Sequence, residues 1–174
     1  LSGKTMGIVG FGRIGQAVAR MAIGLGMNVV ASDPFIKEAT IVLHIRPIAK
    51  DVEVKIQTSS LDEVLEKSDF ISLHVPGKIN GQSLIAEAEL SKMKMGVGLV
   101  NAARGGVIDE DALIAALESG RVSFAGLDVF ENEPKPRTDL LQNNKISVSP
   151  HIGAATQEAQ ERIGREMADN IIQF

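Results

Sequence analysis

The stretch TMGIVGFGRIGQAVARMAIGLG, residues 5–26, decides the fold class, because it joins a short apolar strand to a glycine-rich turn and then to a helix. The apolar run at its start predicts a buried strand, and Gly10, Gly12 and Gly15 follow in the spacing G-x-G-x-x-G. A helical pattern begins at the same place. We expect the apolar face of this helix to consist of Ile14, Val18, Met21, Ala22 and Leu25.

Short apolar strands and amphipathic helices alternate along most of the remaining chain. The predicted strands are Met27–Ala31, Asp69–Val75, Val97–Val100, Phe124–Leu127 and Ile146–Ser149. Predicted helices begin near Ser60, Glu87, Asp109 and Thr156, the last with Ile163, Met167, Ile171 and Ile172 on its apolar side. Because strands that are apolar throughout belong to sheets covered on both faces, the pattern predicts an α/β protein. We expect a doubly wound parallel sheet, the Rossmann fold, with helices on both faces.

One segment, at about 41–58, interrupts this alternation with two consecutive strand patterns. Ile41–Ile48 and Val52–Thr58 flank Ala49-Lys50-Asp51, and the second strand alternates strictly between apolar and polar residues. This pattern predicts an inserted antiparallel hairpin. The hairpin lies either at an edge of the fold or at a contact between subunits, and His44 within it is expected to be structural.

The composition excludes several classes of function. The 174 residues, 44% hydrophobic and 23% charged, are typical of one soluble globular domain. The net charge of −4 argues against nucleic acid as a partner, and no apolar run reaches the roughly 18 residues that a membrane span needs. The absence of cysteine excludes thiolate chemistry and fits a reducing compartment, so we expect a cytoplasmic protein. No metal site is predicted.

The glycine motif predicts a dinucleotide site, since it follows a strand and opens a helix. Gly10 permits a tight turn, Gly12 lets a pyrophosphate approach the backbone, and Gly15 brings the helix against the strand. The helix N-terminus, with Arg13 and Ile14 in its first turn, offers free N–H groups to the phosphates. Arg13 is predicted either to contact the phosphates or to be an ordinary exposed arginine.

Asp33 makes the dinucleotide prediction more specific. It lies 18 residues after Gly15, at the end of the second strand, where a carboxylate accepts both ribose hydroxyls and repels a 2′-phosphate. The sequence therefore predicts NAD rather than NADP. Two alternatives remain open: Asp33 as a turn residue before Pro34, and an enzyme that binds a methyl donor, because such folds share the glycine pattern.

Three side chains suited to acid–base work or anion binding follow three different strands. Arg104, Glu133 and His151 each come just past a separate predicted strand, at the edge where the cofactor of an open α/β sheet binds. Oxidation of a hydroxyl needs a general base and an anchor for the anion of the substrate, and histidine and arginine suit these roles. In isolation each residue has a structural alternative, and Glu131 competes with Glu133 for the carboxylate role.

Four ordered motifs resemble those of the D-isomer-specific 2-hydroxyacid dehydrogenases. They are Gly10–Gly15 with Asp33, Asn101–Gly106, Asp128–Pro134 and Ser149–Gly153, and the resemblance covers nearly the whole chain apart from the hairpin. It implies that Arg104 holds the carboxylate of the substrate and that His151 is the acid–base group. It also implies that Glu133, immediately before the proline, orients this imidazole in preference to Glu131.

The same resemblance implies further contacts to the cofactor. They come from His74, Val75, Pro76, Ala102, Ala103, Arg104, Asp128, His151 and Gly153, with Asp128 near the nicotinamide amide and only backbone contacts at Ala102. The chain departs from the family in the loop Gly77–Gly81, which lacks the usual threonine. We therefore assign no cofactor contact to that loop.

The resemblance also implies what the chain belongs to. Because it starts at Leu1 and stops at Phe174 inside a predicted helix, we interpret residues 1–174 as a dinucleotide-binding domain excised from a longer protein, without the substrate domain. The implied reaction transfers a hydride between NAD and a small D-2-hydroxy acid, with the 2-keto acid as the other partner, in a homodimer or homotetramer. The alternative is a non-catalytic, NAD-sensing regulator of the same fold. The isolated domain is expected to bind NAD and to turn over poorly.

Overall fold

The computed structural model describes residues 1–45, 49–78 and 81–172, which form an α/β fold. In chain order the elements are β1 (Thr5–Val9), α1 (Arg13–Gly24), β2 (Asn28–Ser32), β3 (Glu38–Ile45), β4 (Lys50–Gln57), α2 (Leu61–Lys67), β5 (Phe70–Leu73), α3 (Glu87–Lys92), β6 (Val97–Asn101), α4 (Glu110–Glu118), β7 (Val122–Leu127), α5 (Thr138–Gln142), β8 (Ile146–Val148) and α6 (Gln157–Ile172). Six strands form one parallel sheet in the order β2-β1-β5-β6-β7-β8, and β3 and β4 form a separate pair.

Helices cover both faces of the sheet, so the predicted doubly wound architecture is confirmed. Consecutive residues of β1 point to opposite sides: Ile8 belongs to the apolar cluster beneath α1, and Val9 belongs to the larger cluster beneath α2, α3 and α4. On the α1 side, over β6 and β7, the cover is thinner, and Val100 and Phe124 remain partly exposed.

The predicted bounds of strands and helices differ from the observed ones by a few residues, and α5 was not predicted. Ser60 and Asp109 cap α2 and α4 as expected, since their side chains accept the N–H of Glu63 (3.2 Å) and of Ala112 (2.9 Å). The five residues of α5 are too few to show a helical period.

The apolar face predicted for α1 is only partly correct, because Ala22 is buried and Val18 packs against the core, but its three other members are exposed. Ile14, Met21 and Leu25 are 68%, 61% and 55% exposed, while the helix buries Gly15, Ala19 and Ala22. The reason is the close approach of the helix to the strand: a Cβ added at Gly15 would overlap the carbonyl of Gly10. A helix seated so near the sheet presents its smallest side chains to it, and the larger apolar ones point outward.

The last helix, α6, has the apolar side that was expected, but the described residues do not bury it. None of its side chains is buried, and the exposed ones include Ile163, Met167, Ile171 and Ile172. A two-armed ion pair between Arg13 and Glu166, with N–O distances of 3.1 and 2.6 Å, joins α6 to α1.

The inserted hairpin is confirmed, with β3 and β4 paired antiparallel from Glu38–Gln57 to Ile45–Lys50. It starts three residues earlier than predicted, and residues 46–48 of the predicted first strand lie outside the described residues. The hairpin does not extend the main sheet. Ile41 and Ile56 are instead buried together with Ile8 and Ala19, so the hairpin packs against α1 and contributes to the core on that side.

Candidate active site

The residues predicted to act together are gathered at one edge of the sheet. Each follows the carboxyl end of a parallel strand, which is where open α/β sheets bind their ligands. In the order of the strands along the chain they are Gly10 after β1, Asp33 after β2, His74 after β5, Arg104 after β6, Asp128 and Glu133 after β7, and His151 after β8.

The three glycines of the motif meet different surroundings. Gly10 has φ +92°, and a Cβ there would overlap the carbonyl of His74. A Cβ at Gly15 would overlap the carbonyl of Gly10. At Gly12, φ is −70° and no described atom lies within 4 Å of an added Cβ, so neither strain nor packing explains this glycine. The open space in front of Gly12 is what close approach of a pyrophosphate requires.

The start of α1 fits an anion as well. No side chain among the described residues caps its first N–H groups, and its first turn contains no acidic residue. Unsatisfied N–H groups and the positive end of the helix dipole therefore face the space beside Gly12. The guanidinium of Arg13 forms an ion pair with Glu166, and the side chain of Ile14 is exposed.

Asp33 connects the glycine loop to the end of β2. Its Oδ2 accepts the N–H of Phe11 (2.7 Å), and its Oδ1 accepts the N–H groups of Phe35 and Ile36 (both 2.9 Å). Burial alone would raise the pKa of this carboxyl, but the three backbone N–H groups outweigh it and lower the pKa below the usual aspartate value. The group is thus a carboxylate at neutral pH, ready to accept hydroxyl groups of a ribose.

His74 lies behind the glycine loop. Its Nε2 is 2.9 Å from the Oγ of Ser72, and burial lowers its pKa, so the ring is neutral at physiological pH. Its carbonyl faces Gly10, while Val75 is half-buried and Pro76 is exposed. Ile79 and Asn80, in the loop that departs from the family pattern, lie outside the described residues.

His151 and Glu133 are joined directly. The Nδ1 of His151 lies 2.7 Å from the Oε2 of Glu133, and the other carboxylate oxygen accepts the N–H of Phe130 (2.9 Å). The hydrogen bond from His151, with that from Phe130, lowers the pKa of Glu133. Because a carboxylate only accepts, Nδ1 carries the proton and Nε2 is left as the proton acceptor of the neutral ring.

Asp128 holds the loop that carries His151. Its Oδ1 accepts the hydroxyl of Ser149 (2.6 Å) and the N–H of Ile152 (3.0 Å), and its Oδ2 accepts the N–H of Gly153 (2.8 Å). Burial would raise the pKa of Asp128, but these three donors overcome it and lower the pKa. His151 itself has φ +55°, a region that side chains seldom adopt, so the loop needs this support.

Arg104 is exposed and makes no ion pair among the described residues. Its Nη1 donates to the carbonyl of Ala103 (2.6 Å), and the structure does not bring it into contact with Glu133 or His151. The turn that carries it is held by Asn101, whose amide donates to the Arg104 carbonyl (3.0 Å) and accepts the N–H of Ala103 (3.1 Å). Ala102, in the same turn, is exposed.

Sequence reasoning assigned no role to Asn101, Glu110 or Lys78. Asn101 is buried at the end of a strand, and an asparagine in that position is a known turn former, so its signal was available. Lys78 pairs with Glu131, whereas Glu133, the other candidate for the carboxylate role, contacts the imidazole of His151. Long-range contacts of this kind leave no local pattern in the sequence.

A largely apolar cleft of about 390 Å³ lies beside the imidazole. The residues that line it include Phe130, Pro134, Leu141 and Val148, together with Glu133 and His151. In the described part of the chain, no group of three or more histidine, aspartate or glutamate side chains could hold a metal ion. The described helices also include none that is long and apolar enough to cross a membrane.

Comparison with known proteins shows the family of the chain. Residues 1–153 match the sequence model of the D-isomer specific 2-hydroxyacid dehydrogenase, NAD binding domain. The chain belongs to this family. The cofactor of the domain is accordingly NAD, in agreement with the carboxylate of Asp33 and the open backbone at Gly12.

Relatives within the family carry different names. D-3-phosphoglycerate dehydrogenase of Bacillus subtilis is 42% identical over 174 residues, covering 100% of this chain and 31% of that protein. Glyoxylate reductase of Thermococcus litoralis is 43% identical, covering 100% of this chain and 50% of that protein. The structure of D-lactate dehydrogenase from Aquifex aeolicus, complexed with NAD and lactic acid, matches with a TM-score of 0.76 at 34% identity over 97% of this chain and 52% of that one. The chain thus spans about half or less of the length of these relatives.

Proposed function

We propose that this chain is the cofactor-binding and catalytic half of a dehydrogenase that interconverts a D-2-hydroxy acid and its 2-keto acid. The observation that carries the proposal is the hydrogen bond of 2.7 Å between Glu133 and His151, in an NAD-binding domain and at the carboxyl edge of its sheet, where open α/β sheets bind their ligands. A neutral imidazole with its proton on Nδ1 can accept the hydroxyl proton at Nε2, and NAD, when bound, would supply the acceptor for the hydride from C2.

His151 accepts and returns the hydroxyl proton of the substrate. With Nδ1 donating to Glu133, Nε2 accepts the hydroxyl proton during oxidation, and the same atom returns it to the carbonyl oxygen when the keto acid is reduced. Glu133 stays ionised throughout, because its pKa is lowered, and its negative charge stabilises the imidazolium formed in between. The pair thus works in both directions.

The carboxylate of the substrate is held by Arg104. Its guanidinium is exposed beyond the end of β6, and within the described part of the chain only one of its donors makes a hydrogen bond, to a backbone carbonyl. A planar guanidinium matches a carboxylate in a two-armed contact that lysine cannot make. Binding of the substrate carboxylate there would fix C2 and its hydroxyl relative to the imidazole.

The rest of the pocket belongs to a second domain. The exposed positions of Arg104 and His151 leave the substrate open to water on one side, and hydride transfer is favoured in a site that excludes water. We therefore propose that a substrate domain completes the site and that the enzyme is a homodimer or homotetramer.

We propose D-3-phosphoglycerate as the substrate, which would make the enzyme part of serine biosynthesis. The phosphoglycerate dehydrogenase of B. subtilis, which matches over the whole chain, supports this choice. Reduction of glyoxylate is the second candidate, because the T. litoralis relative matches over the same length with 43% identity.

Assays of the complete enzyme, with the proposed substrate domain present, test both levels of this proposal. A panel of 2-hydroxy acids with NAD, and of 2-keto acids with NADH, should reveal one preferred pair, with D-3-phosphoglycerate oxidised fastest. His151→Gln should lower kcat by about a hundredfold or more, the usual contribution of a general base. NAD binding without turnover of any acid would identify a non-catalytic regulator, and wild-type rates in His151→Gln would exclude the mechanism.

A further inference from the structure

The turn after β7 is held from three directions. Gly105 lies so close to it that an added Cβ would overlap the carbonyl of Phe130. The N–H of Glu131 donates to Oε1 of Glu110 at 2.8 Å, and the side chain of Glu131 pairs with Lys78. Gly105 after β6 and Glu110 at the start of α4 thus contact the peptide unit between residues 130 and 131, and Lys78 after β5 contacts the side chain of Glu131.

Glu110 is the unusual member of this group. It is only 6% exposed, and its second oxygen, Oε2, is buried with no hydrogen-bond partner among the described residues. Burying an incompletely bonded carboxylate costs free energy. Its position in the first turn of α4, at the positive end of the helix, and the nearby ammonium of Lys78 offset part of that cost.

The turn that Glu110 holds also carries the acid–base pair. The N–H of Phe130 donates to Oε1 of Glu133, and Oε2 of Glu133 accepts from His151. Residues 130–133 thus form one short unit, with the donor that orients Glu133 one residue from the N–H that Glu110 accepts. A shift of this unit would change the distance between the carboxylate and the imidazole.

We propose that Glu110 is a positioning residue, which fixes the turn 130–133 through the N–H of Glu131 and so keeps Glu133 in hydrogen-bond contact with His151. The inference rests on the proposed function of that pair. Its alternative is that Glu110 serves α4 alone, as an acidic residue at the helix N-terminus.

Two substitutions separate these roles. Glu110→Gln keeps an oxygen that can accept the N–H of Glu131, but removes the charge that favours the helix. Glu110→Met fills a similar volume without an acceptor, and replacement of a buried charge by an apolar side chain is often tolerated. Glu118→Gln, at an exposed position of the same helix, is the matched control.

The test reads the tautomer of His151 from the ¹⁵N chemical shifts of its ring in the 174-residue chain, at a pH where the ring is neutral. The wild type, Glu110→Gln and Glu118→Gln should hold the proton on Nδ1, because Glu133 accepts it there. Glu110→Met should move a substantial share of it to Nε2. An unchanged Nδ1 tautomer in Glu110→Met would overturn the proposal. If this variant does not fold, the ¹⁵N shifts of His151 are measured in Glu110→Ala instead, and the same outcome decides.

Kinetics of the complete enzyme provide the second readout. Glu110→Met should lower kcat by about tenfold, as misplaced catalytic groups do, with KM for NAD changed less than about twofold. Glu110→Gln should remain within about twofold of wild type, and an equal loss in both variants would contradict the role of the acceptor oxygen. The tautomer measurement needs no substrate, so failure of the proposed reaction would appear as an inactive wild type with the tautomer shift intact.

Discussion

Gly12 and Gly15 stand three residues apart in one motif, yet the structure requires them for different reasons. Gly15 is needed for folding, because a Cβ there would overlap the backbone of Gly10. Gly12 has an ordinary φ of −70° and faces open space, so the absence of a side chain there leaves room for a ligand at the N-terminus of α1. Two mutations to alanine should therefore separate folding from binding.

We expect Gly12→Ala to fold with a free energy of unfolding within about 1 kcal/mol of wild type, since only the preference at a helix cap changes. NAD should bind roughly tenfold more weakly, a loss of about 1.4 kcal/mol. Gly15→Ala should instead lose about 1–3 kcal/mol of stability through overpacking. Urea denaturation and calorimetric titration with NAD measure the two effects; equal losses of stability would contradict this division.

Asp128 should make stability depend on pH. Its pKa is lowered in the folded chain by the donors from Ser149, Ile152 and Gly153, although burial opposes them. A lowered pKa stabilises the fold above the unfolded value of about 3.9 and loses that stabilisation as the pH falls through the folded value. The free energy of unfolding of wild type should thus fall more steeply between about pH 5 and pH 2 than that of Asp128→Asn.

Urea denaturation at several pH values checks the contribution of Asp128. The other carboxylates with lowered pKa values, such as Asp33 and Asp69, are present in both proteins, so the difference between the curves isolates this group. Parallel curves for the two proteins would show that the loop around His151 does not depend on the charge of Asp128.

The hairpin β3–β4 is the element that departs most from a regular alternation of strands and helices, and its packing makes it part of the core. Ile41 is 1% exposed and lies against α1, whereas Val52 on the same hairpin is 42% exposed. We expect Ile41→Ala to cost about 2–4 kcal/mol and Val52→Ala about 0.5 kcal/mol or less. Thermal or urea denaturation measures both, and a neutral Ile41→Ala would mean that the hairpin is dispensable.

The elements also show why only part of the structure could be predicted. Strands, the glycine turn and the helix caps at Ser60 and Asp109 have local signatures, and they formed as expected. The buried face of α1 could not be predicted from its large apolar residues, because Gly15 sets the helix too close to the sheet for them. The supports of the site, such as Glu110 with Glu131, join residues 21 positions apart, and no local pattern reports that contact.

For the whole molecule, we predict that the isolated chain binds NAD but turns over substrate slowly. The isolated chain of 174 residues contains the glycine loop, Asp33 and the His151–Glu133 pair, so it should bind NAD. It should prefer NAD to NADP, because the ionised carboxylate of Asp33 repels a 2′-phosphate. Turnover should be slow, since the substrate site remains open to water.

Titration calorimetry with both cofactors, and an assay of the same sample with D-3-phosphoglycerate, test this separation. The Asp33→Asn variant is the matched control for the charge, and in it the dissociation constants for NAD and NADP should differ less than in the wild type. Tighter binding of NADP by the wild type would refute the role of Asp33, and rapid turnover would refute the need for a second domain.

The contacts between Asp128, Glu133 and His151 have a consequence for how such enzymes diversify. The side chains of these three residues, and the groups that those side chains contact, lie between positions 128 and 153, so they can be inherited as one block. Relatives named for phosphoglycerate and for glyoxylate are 42% and 43% identical to the chain. If these residues transfer the proton as proposed, new substrate preferences can evolve through changes elsewhere in the polypeptide without altering that chemistry.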